Sequence, residues 1–477
     1  MIVSSKKAKG RVYTPPYIVS NILDLCDYDG AQILGKHIID NSCGDGAFLV
    51  EIVRRYCQVA LSFGMPKPQI AIELGTFIHG IEIDSEECLK CLHNLSKVVD
   101  CYGITNVNWD IVCADALTVK SYNGNMDYVV GNPPYVRVHN LNDSYDAVKQ
   151  FSFAEGGMTD LYIVFYEIGL MMLNQTGVLG YISPSSLFNS LAGATARKHF
   201  VSKRSIKKVV DLKHFQPFDA ATTYTTIMIL TAEENSFVDY FGYDDSNHAS
   251  YAVSKLTYDD FNINSYFMFG NEDMLMRLKK IASFESANTI CVVKNGFATL
   301  CDDFFVGNFD FTDHTIPIIK ASTGATAQCI YPYDKLGKPI ALDDLLENLS
   351  IKNRYEQYKQ RLKKRSIDKN SPWYVFGRSQ GINDVYKQKY AINALIRDAS
   401  DIKLNPAGAG VGVYSGLYIL SDACFEQIKK ILLADEFVEY VSMLGKYKSG
   451  GYYTYSSKDL SRYLNYKFVE TRGDGHE

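Results

Sequence analysis

Residues 132–135 read Asn-Pro-Pro-Tyr and follow directly on an apolar run, Met-Asp-Tyr-Val-Val-Gly, at 126–131. Two consecutive prolines, Pro133 and Pro134, fix the backbone and remove two amide donors, so the loop is stiff and exposes carbonyls. An amino nitrogen conjugated to an aromatic ring is a poor nucleophile because its lone pair is delocalised. If the Asn132 side-chain oxygen and the Pro133 carbonyl each accept one of its hydrogens, the nitrogen is drawn toward tetrahedral geometry and its lone pair is released for attack. Tyr135 offers a flat face to a base, and base–aromatic stacking is worth about 1 to 3 kcal/mol. The plain alternative is a rigid turn after a core strand.

Three polar strand ends precede this loop. The stretch 38–49, Ile-Ile-Asp-Asn-Ser-Cys-Gly-Asp-Gly-Ala-Phe-Leu, reads as a buried strand, a glycine turn and a helix start. Gly44 and Gly46 allow a sharp turn and close ligand approach, and helix amides offer donors. The pattern alone also occurs in dinucleotide enzymes and as simple turn chemistry. The next strand ends Gly-Ile-Glu-Ile-Asp at 80–84, where Glu82 can accept two hydroxyl hydrogens and Asp84 suits a helix N-cap. A third ends in Asp115, an acceptor for an amino group or an ordinary turn residue. Asp40, Glu82 and Asp115 line one crevice if the strands are parallel, as a nucleoside-containing cofactor requires.

These side chains need a sheet to align them. Apolar runs at 37–40, 77–83, 111–114, 126–131, 178–183, 207–212 and 225–231 predict seven strands, and helical periodicity at 47–61, 85–99 and 161–173 fills gaps between them. The alternation predicts an α/β fold with a doubly wound, mostly parallel sheet. The last two strands lie too close for a helical crossover, which predicts an antiparallel hairpin at the sheet edge. The rhythm stops near residue 233. The expected organisation is a catalytic domain at 1–234, a connecting region at 235–286 and a C-terminal α+β domain at 287–477.

In order and content these features resemble the gamma-class (TaqI-like) amino methyltransferases of bacterial restriction-modification systems. Residues 10–16, Gly-Arg-Val-Tyr-Thr-Pro-Pro, resemble that family's N-terminal motif, and Asp160-Leu161-Tyr162 its motif in the helix behind the catalytic loop. The resemblance implies a class I, Rossmann-like fold that binds S-adenosylmethionine. It implies that Thr14 and the loop containing Asp40, Asn41, Gly44 and Gly46 hold the methionine end, Glu82 the ribose and Asp115 the adenine amino group, with Ile83, Pro134 and Phe165 packed around that adenine. Asn132, Pro133, Pro134 and Tyr135 would be the catalytic loop. Phe218, in Gln-Pro-Phe-Asp at 216–219, matches the aromatic that contacts the flipped base, with Phe215 as the other candidate. Ala116 stands where some relatives have an aromatic. The implied activity is methylation of adenine N6 at a specific site in double-stranded DNA. Cytosine N4, RNA adenine and protein glutamine are alternative targets of such a loop, and a catalytically inactive DNA-binding relative is the non-enzymatic one. Whether a separate cognate restriction endonuclease accompanies the protein is left open.

The second half carries a candidate DNA surface. Residues 352–369 hold eight basic side chains, Lys363, Lys364 and Arg365 among them, against Glu356 and Asp368. Such a cluster suits phosphate binding, or it is a solvated helix face. Trp-Tyr-Val-Phe-Gly-Arg-Ser-Gln follows at 373–380, where Arg378 has the geometry for a bidentate base contact. A net charge of −5 over 477 residues excludes a protein that is basic throughout, not one with a basic face. Eleven cysteines without a secretory signal, and no apolar run of membrane-spanning length, point to the bacterial cytoplasm and away from membranes. Cys88, Cys91 and His93 lie on one predicted helix with no second ligand pair, so no metal is expected.

Overall fold

The computed structural model describes residues 13–138, 145–155, 159–218, 223–285 and 289–473. Gly10, Arg11 and Val12 of the N-terminal motif, and Asp219, lie outside the described residues. The chain divides into two compact units, Met1–Arg277 and Leu278–Glu477.

In the first unit, α1 (Pro16–Leu25) precedes β1 (Ile38–Asp40), α2 (Ala47–Ser62), α3 (Lys67–Phe77) and β2 (Ile78–Glu82). Then come α4 (Ser85–Cys101), β3 (Asp110–Cys113), β4 (Met126–Gly131), α5 (Leu161–Met172), β5 (Leu173–Pro184), α6 (Ala194–Ser202), β6 (Ile206–Asp211) and β7 (Thr225–Thr231). Strand order is β3-β2-β1-β4-β5-β7-β6, and the first five run parallel. Ile38, Ile39, Val129 and Val130 are buried, as parallel strands covered on both faces demand. Strand β7 runs antiparallel to both β5 and β6, so the expected final hairpin forms.

Two expectations are corrected. The sheet has nine strands, not seven, because β8 (Val238–Asp244) pairs in parallel with β6 and β9 (Ala249–Leu256) pairs antiparallel with β8. The β6–β7 hairpin therefore lies inside the sheet, away from its edge. Residues 238–256 of the expected connecting region 235–286 are for the same reason part of the sheet: β8 completes the hydrogen bonding of β6, and Val238 and Tyr240 bury one face.

The second unit combines small sheets with helices. One four-stranded sheet pairs Cys291–Asn295, Leu417–Ser421, Lys389–Ile392 and Leu404–Ala407 in that order. Another pairs Val306–Gly307, Ala325–Ile330, Thr315–Lys320 and Gly412–Tyr414. Helix Leu349–Lys363 buries Ile351, Tyr355 and Leu362 against a core that includes Phe304, Phe305 and Phe376, while most of its lysines stay exposed. No helix among the described residues is long and apolar enough to cross a membrane.

A chain ending at Arg277 is expected to fold and melt cooperatively. One ending at Glu234 exposes the full hydrogen-bonding edge of β6 and is expected to aggregate or to melt at least 10 °C lower, as read by circular dichroism and light scattering. Equal stability of the two would make β8 and β9 accessory.

Candidate active site

Asp40 closes β1 in register with Gly80 of β2 and Val130 of β4, which puts its carboxyl at the carboxyl edge of three adjacent strands. It is buried, and its Oδ1 accepts the Ser42 amide at 3.0 Å. Beside it stands Gly131, the residue before Asn132. A Cβ at position 131 would lie 2.7 Å from Asp40 Oδ1, and its φ of 154° is one that side chains disfavour, so only glycine fits. Ser42 Oγ in turn donates to the Asn132 carbonyl at 3.5 Å. The glycine loop and the Asn-Pro-Pro-Tyr loop are thus joined at two points. Burial pushes the Asp40 carboxyl up to about 8; the Ser42 amide opposes this, and Glu82 and Asp45 add to it.

Glu82 ends β2 half-buried. Its Oε2 accepts the Gly44 amide and its Oε1 the Asp84 amide, both at 2.9 Å. Asp84 caps α4, accepting from the amides of Glu86 and Glu87. Between the two acids Ile83 is 65% exposed, an apolar side chain at the mouth of the crevice. Asp115 accepts the Leu117 amide at 3.0 Å and heads a turn. Thr14, Ala116 and Phe165 are buried. Gly46, at φ 91°, sets the start of α2 against α4, where a Cβ would meet Cys91 Sγ at 2.8 Å.

The side chain of Asn41, within the loop expected to hold a ligand, is engaged inside the protein. It is buried, accepts the Tyr181 hydroxyl at 2.8 Å and points its amide at Met172 Sδ, so it ties the glycine loop to β5 and α5. A polar residue inside a polar loop gave no sign of this.

In the Asn-Pro-Pro-Tyr loop the Asn132 side-chain oxygen and Pro133 are buried, while Pro134 and Tyr135 are half-buried. Tyr135 donates to the Ile182 carbonyl at 3.3 Å, and loss of water raises its phenol well above the usual range, so it stays neutral. Its ring meets Phe218 edge-on at 6.3 Å and Tyr162 at 6.2 Å. Phe215 instead stacks on Tyr243 at 5.1 Å and leans toward Tyr17. Of the two candidate aromatics, Phe218 shares the wall with Tyr135. Sequence reasoning missed Gly131, Ser42 and Tyr181; only Gly131, a glycine closing the strand directly after Val129-Val130, carried a readable signal.

In the second unit the expectation for Arg365 is corrected. Its guanidinium donates to the carbonyls of Leu362, Thr299, Trp373 and Val375 and lies 5.3 Å over the Phe305 ring, so it braces the 373–376 turn from within. Lys364 is exposed and Lys363 lies over Trp373 at 5.6 Å. Arg378 Nη1 donates to the carbonyls of Ser366 and Gly377 and stands 3.5 Å from Asp368, at the surface.

Residues 66–218 match the family described as Eco57I restriction-modification methylase. The chain is 26% identical to the Type II methyltransferase M.BstVI of Geobacillus stearothermophilus, over 78% of this chain and 74% of that protein. It is 21% identical to the Type II restriction enzyme and methyltransferase RM.Eco57I of Escherichia coli, over 78% of this chain and 48% of the relative, so it spans about half that protein's length. The fold is similar to that of the Type IIL restriction-modification enzyme MmeI, solved in complex with DNA, with a TM-score of 0.61 and 14% identity over 94% of this chain and 64% of that one.

Asp40 makes stability depend on pH in a stated direction. Its folded pKa, about 8, is above the ordinary unfolded value of about 3.9, so the folded state holds the proton more tightly. The stabilisation is complete below about pH 4 and is lost as pH rises to about 8, with a slope near 1.4 kcal/mol per pH unit. Denaturant unfolding at pH 6, 7, 8 and 9 should show this fall flattening above about 8, and Asp40→Asn should remove it. A wild-type slope identical to that of the variant would mean that Asp40 is ionised in the folded protein.

Proposed function

We propose that this chain, which carries an Eco57I restriction-modification methylase domain, is a site-specific DNA methyltransferase that flips its target adenine and methylates the N6 amino group with S-adenosylmethionine. The reading rests above all on the joint made by Asp40, Ser42 and Gly131, which sets an amino-accepting loop against the mouth of a glycine loop.

S-adenosylmethionine supplies a methyl group on a positively charged sulfur, open to in-line attack. Asp40, Thr14 and the backbone of the 40–46 loop would hold its cationic amino end, with Asp40 accepting as a carboxylate where a positive charge lies beside it. A carboxylate has about four acceptor positions, so Glu82 takes the ribose hydroxyls while keeping its two amide bonds. Asp115 accepts from the adenine amino group, and Ile83, Pro134 and Phe165 supply apolar contact. On the target side Asn132 Oδ1 and the Pro133 carbonyl accept the two amino hydrogens, while Tyr135 and Phe218 wall the base. Flipping costs a few kcal/mol, and stacking of about 1 to 3 kcal/mol together with these hydrogen bonds offsets it. Neither acceptor is a base, so the surplus proton passes to water after transfer.

Sequence recognition belongs to the second unit. The first unit ends at Arg277, so an alignment over 78% of the 477 residues reaches into the second. Lys359, Lys363 and Lys364 contact phosphate, and Arg378 contacts a base edge. The modification protects cytoplasmic DNA of a bacterium from a cognate restriction endonuclease.

Asn132→Ala should lower methyl transfer by about 10² to 10³, the usual effect of losing one transition-state partner, with cofactor and DNA affinities within a few fold. Base analysis of DNA from expressing cells should find N6-methyladenine; N4-methylcytosine would move the target, and unmodified DNA would refute the reading. Replacing Lys359, Lys363 and Lys364 by alanine should reduce the slope of log affinity against log salt by about 2 to 3 at every site alike. A changed site preference with an unchanged slope would make these lysines base readers.

A further inference from the structure

Among the described residues Leu191 is the most exposed of the large apolar side chains, at 82%. It sits at the tip of the turn between β5 and α6, and that turn is braced. Arg197 of α6 is buried and spends its guanidinium on the carbonyls of Leu187, Ser190 and Ser265, at 2.7, 2.8 and 2.8 Å. The Gly193 amide donates to Ser190 Oγ and the Ala194 amide to the Leu191 carbonyl. A Cβ at Gly193 would lie 2.7 Å from the Leu187 carbonyl and 2.9 Å from Arg197 Nη1, so the close approach of the arginine depends on that glycine. Burying a guanidinium to brace a turn is costly, and here the braced turn holds an apolar side chain out in water.

The turn follows directly on the strand and short helical turn that touch the Asn-Pro-Pro-Tyr loop and its aromatic neighbours. Strand β5 lies parallel to β4, with Tyr181 in register with Gly131, and Tyr135 donates to the Ile182 carbonyl. Ser186, two residues beyond the end of β5, hydrogen-bonds the Tyr162 hydroxyl at 3.1 Å, and the Tyr162 ring stands edge-on to Tyr135. Leu191 is five residues further, within about 17 Å of extended chain. Exposed cations stand on both neighbouring segments, Arg137 five residues after Asn132 and Lys198 on α6, as suits a surface meeting phosphate.

We propose that Leu191 is a wedge that enters the DNA stack where the target nucleotide leaves it. Resting on the DNA-methylation reading above, this adds the residue that pushes to the residues that receive. A rigid apolar tip beside the receiving pocket can unstack a base step and fill the gap, as apolar wedges do in proteins that distort DNA. Its work is needed only while the target base is paired and stacked.

The test compares wild type, Leu191→Ala and Leu191→Phe on two duplexes carrying the mapped methylation site. One duplex is fully paired; in the other the target adenine faces an abasic position, so no pair has to be broken. Leu191→Ala is expected to methylate the paired duplex at least tenfold more slowly and the abasic duplex within threefold of wild type, with Leu191→Phe retaining activity on both. An unchanged melting temperature is expected, because the side chain is exposed. Equal rates of wild type and Leu191→Ala on the paired duplex, or equal losses on both duplexes, would overturn the wedge while leaving the methyltransferase reading intact. Failure of wild type to methylate either duplex would overturn both.

Discussion

The carboxyl group of Asp40 fills the volume that a side chain at position 131 would need, and everything at the carboxyl edge of the sheet is arranged around that exclusion. Position 131 must be glycine, its φ must be one that glycine tolerates, and the chain must leave β4 in the direction that gives Asn132 its place. The acid becomes buried and is pushed toward its neutral form in consequence. Two loops far apart in sequence, 40–46 and 131–135, therefore cannot be adjusted separately. A change that shifts one meets the other through a contact with no slack.

The seven strands read from the sequence are present because they hold dense apolar stretches, such as Val129-Val130, Val209-Val210 or Ile227-Met228-Ile229-Leu230, that a covered sheet buries, even where Gly80, Asp127, Gly180 or Lys207-Lys208 interrupts the run. Strands β8 and β9 escaped notice for a physical reason. β8 alternates buried and half-buried positions around Gly242, and β9 is exposed at most of its residues, so neither presents the dense apolar run that marks a covered strand. Their pairing comes from the open edge of β6, which is a property of the assembled sheet.

The site residues divide along the same line. The strand-end acids could be placed because strand ends are visible in sequence and a parallel sheet collects them at one edge. The partners of the Asn41 and Arg365 side chains were not legible, because a polar side chain can serve a ligand or the fold and composition does not say which. For Asn41 the deciding partner is Tyr181, 140 residues away; for Arg365 one of them is the Thr299 carbonyl, 66 residues away. Phe215 and Phe218, three residues apart in sequence, pack against different partners.

Glu82 illustrates how narrow such a position can be. Both of its oxygens already face backbone N–H groups, those of Gly44 and Asp84. A glutamine has the same shape, yet whichever way it turns it must present a donor to one of those donors. The near-isosteric exchange is therefore the unfriendly one, since a shorter residue leaves room for water while the amide forces hydrogen against hydrogen. Charge at this site is secondary; what the loop requires is a side chain that can only accept.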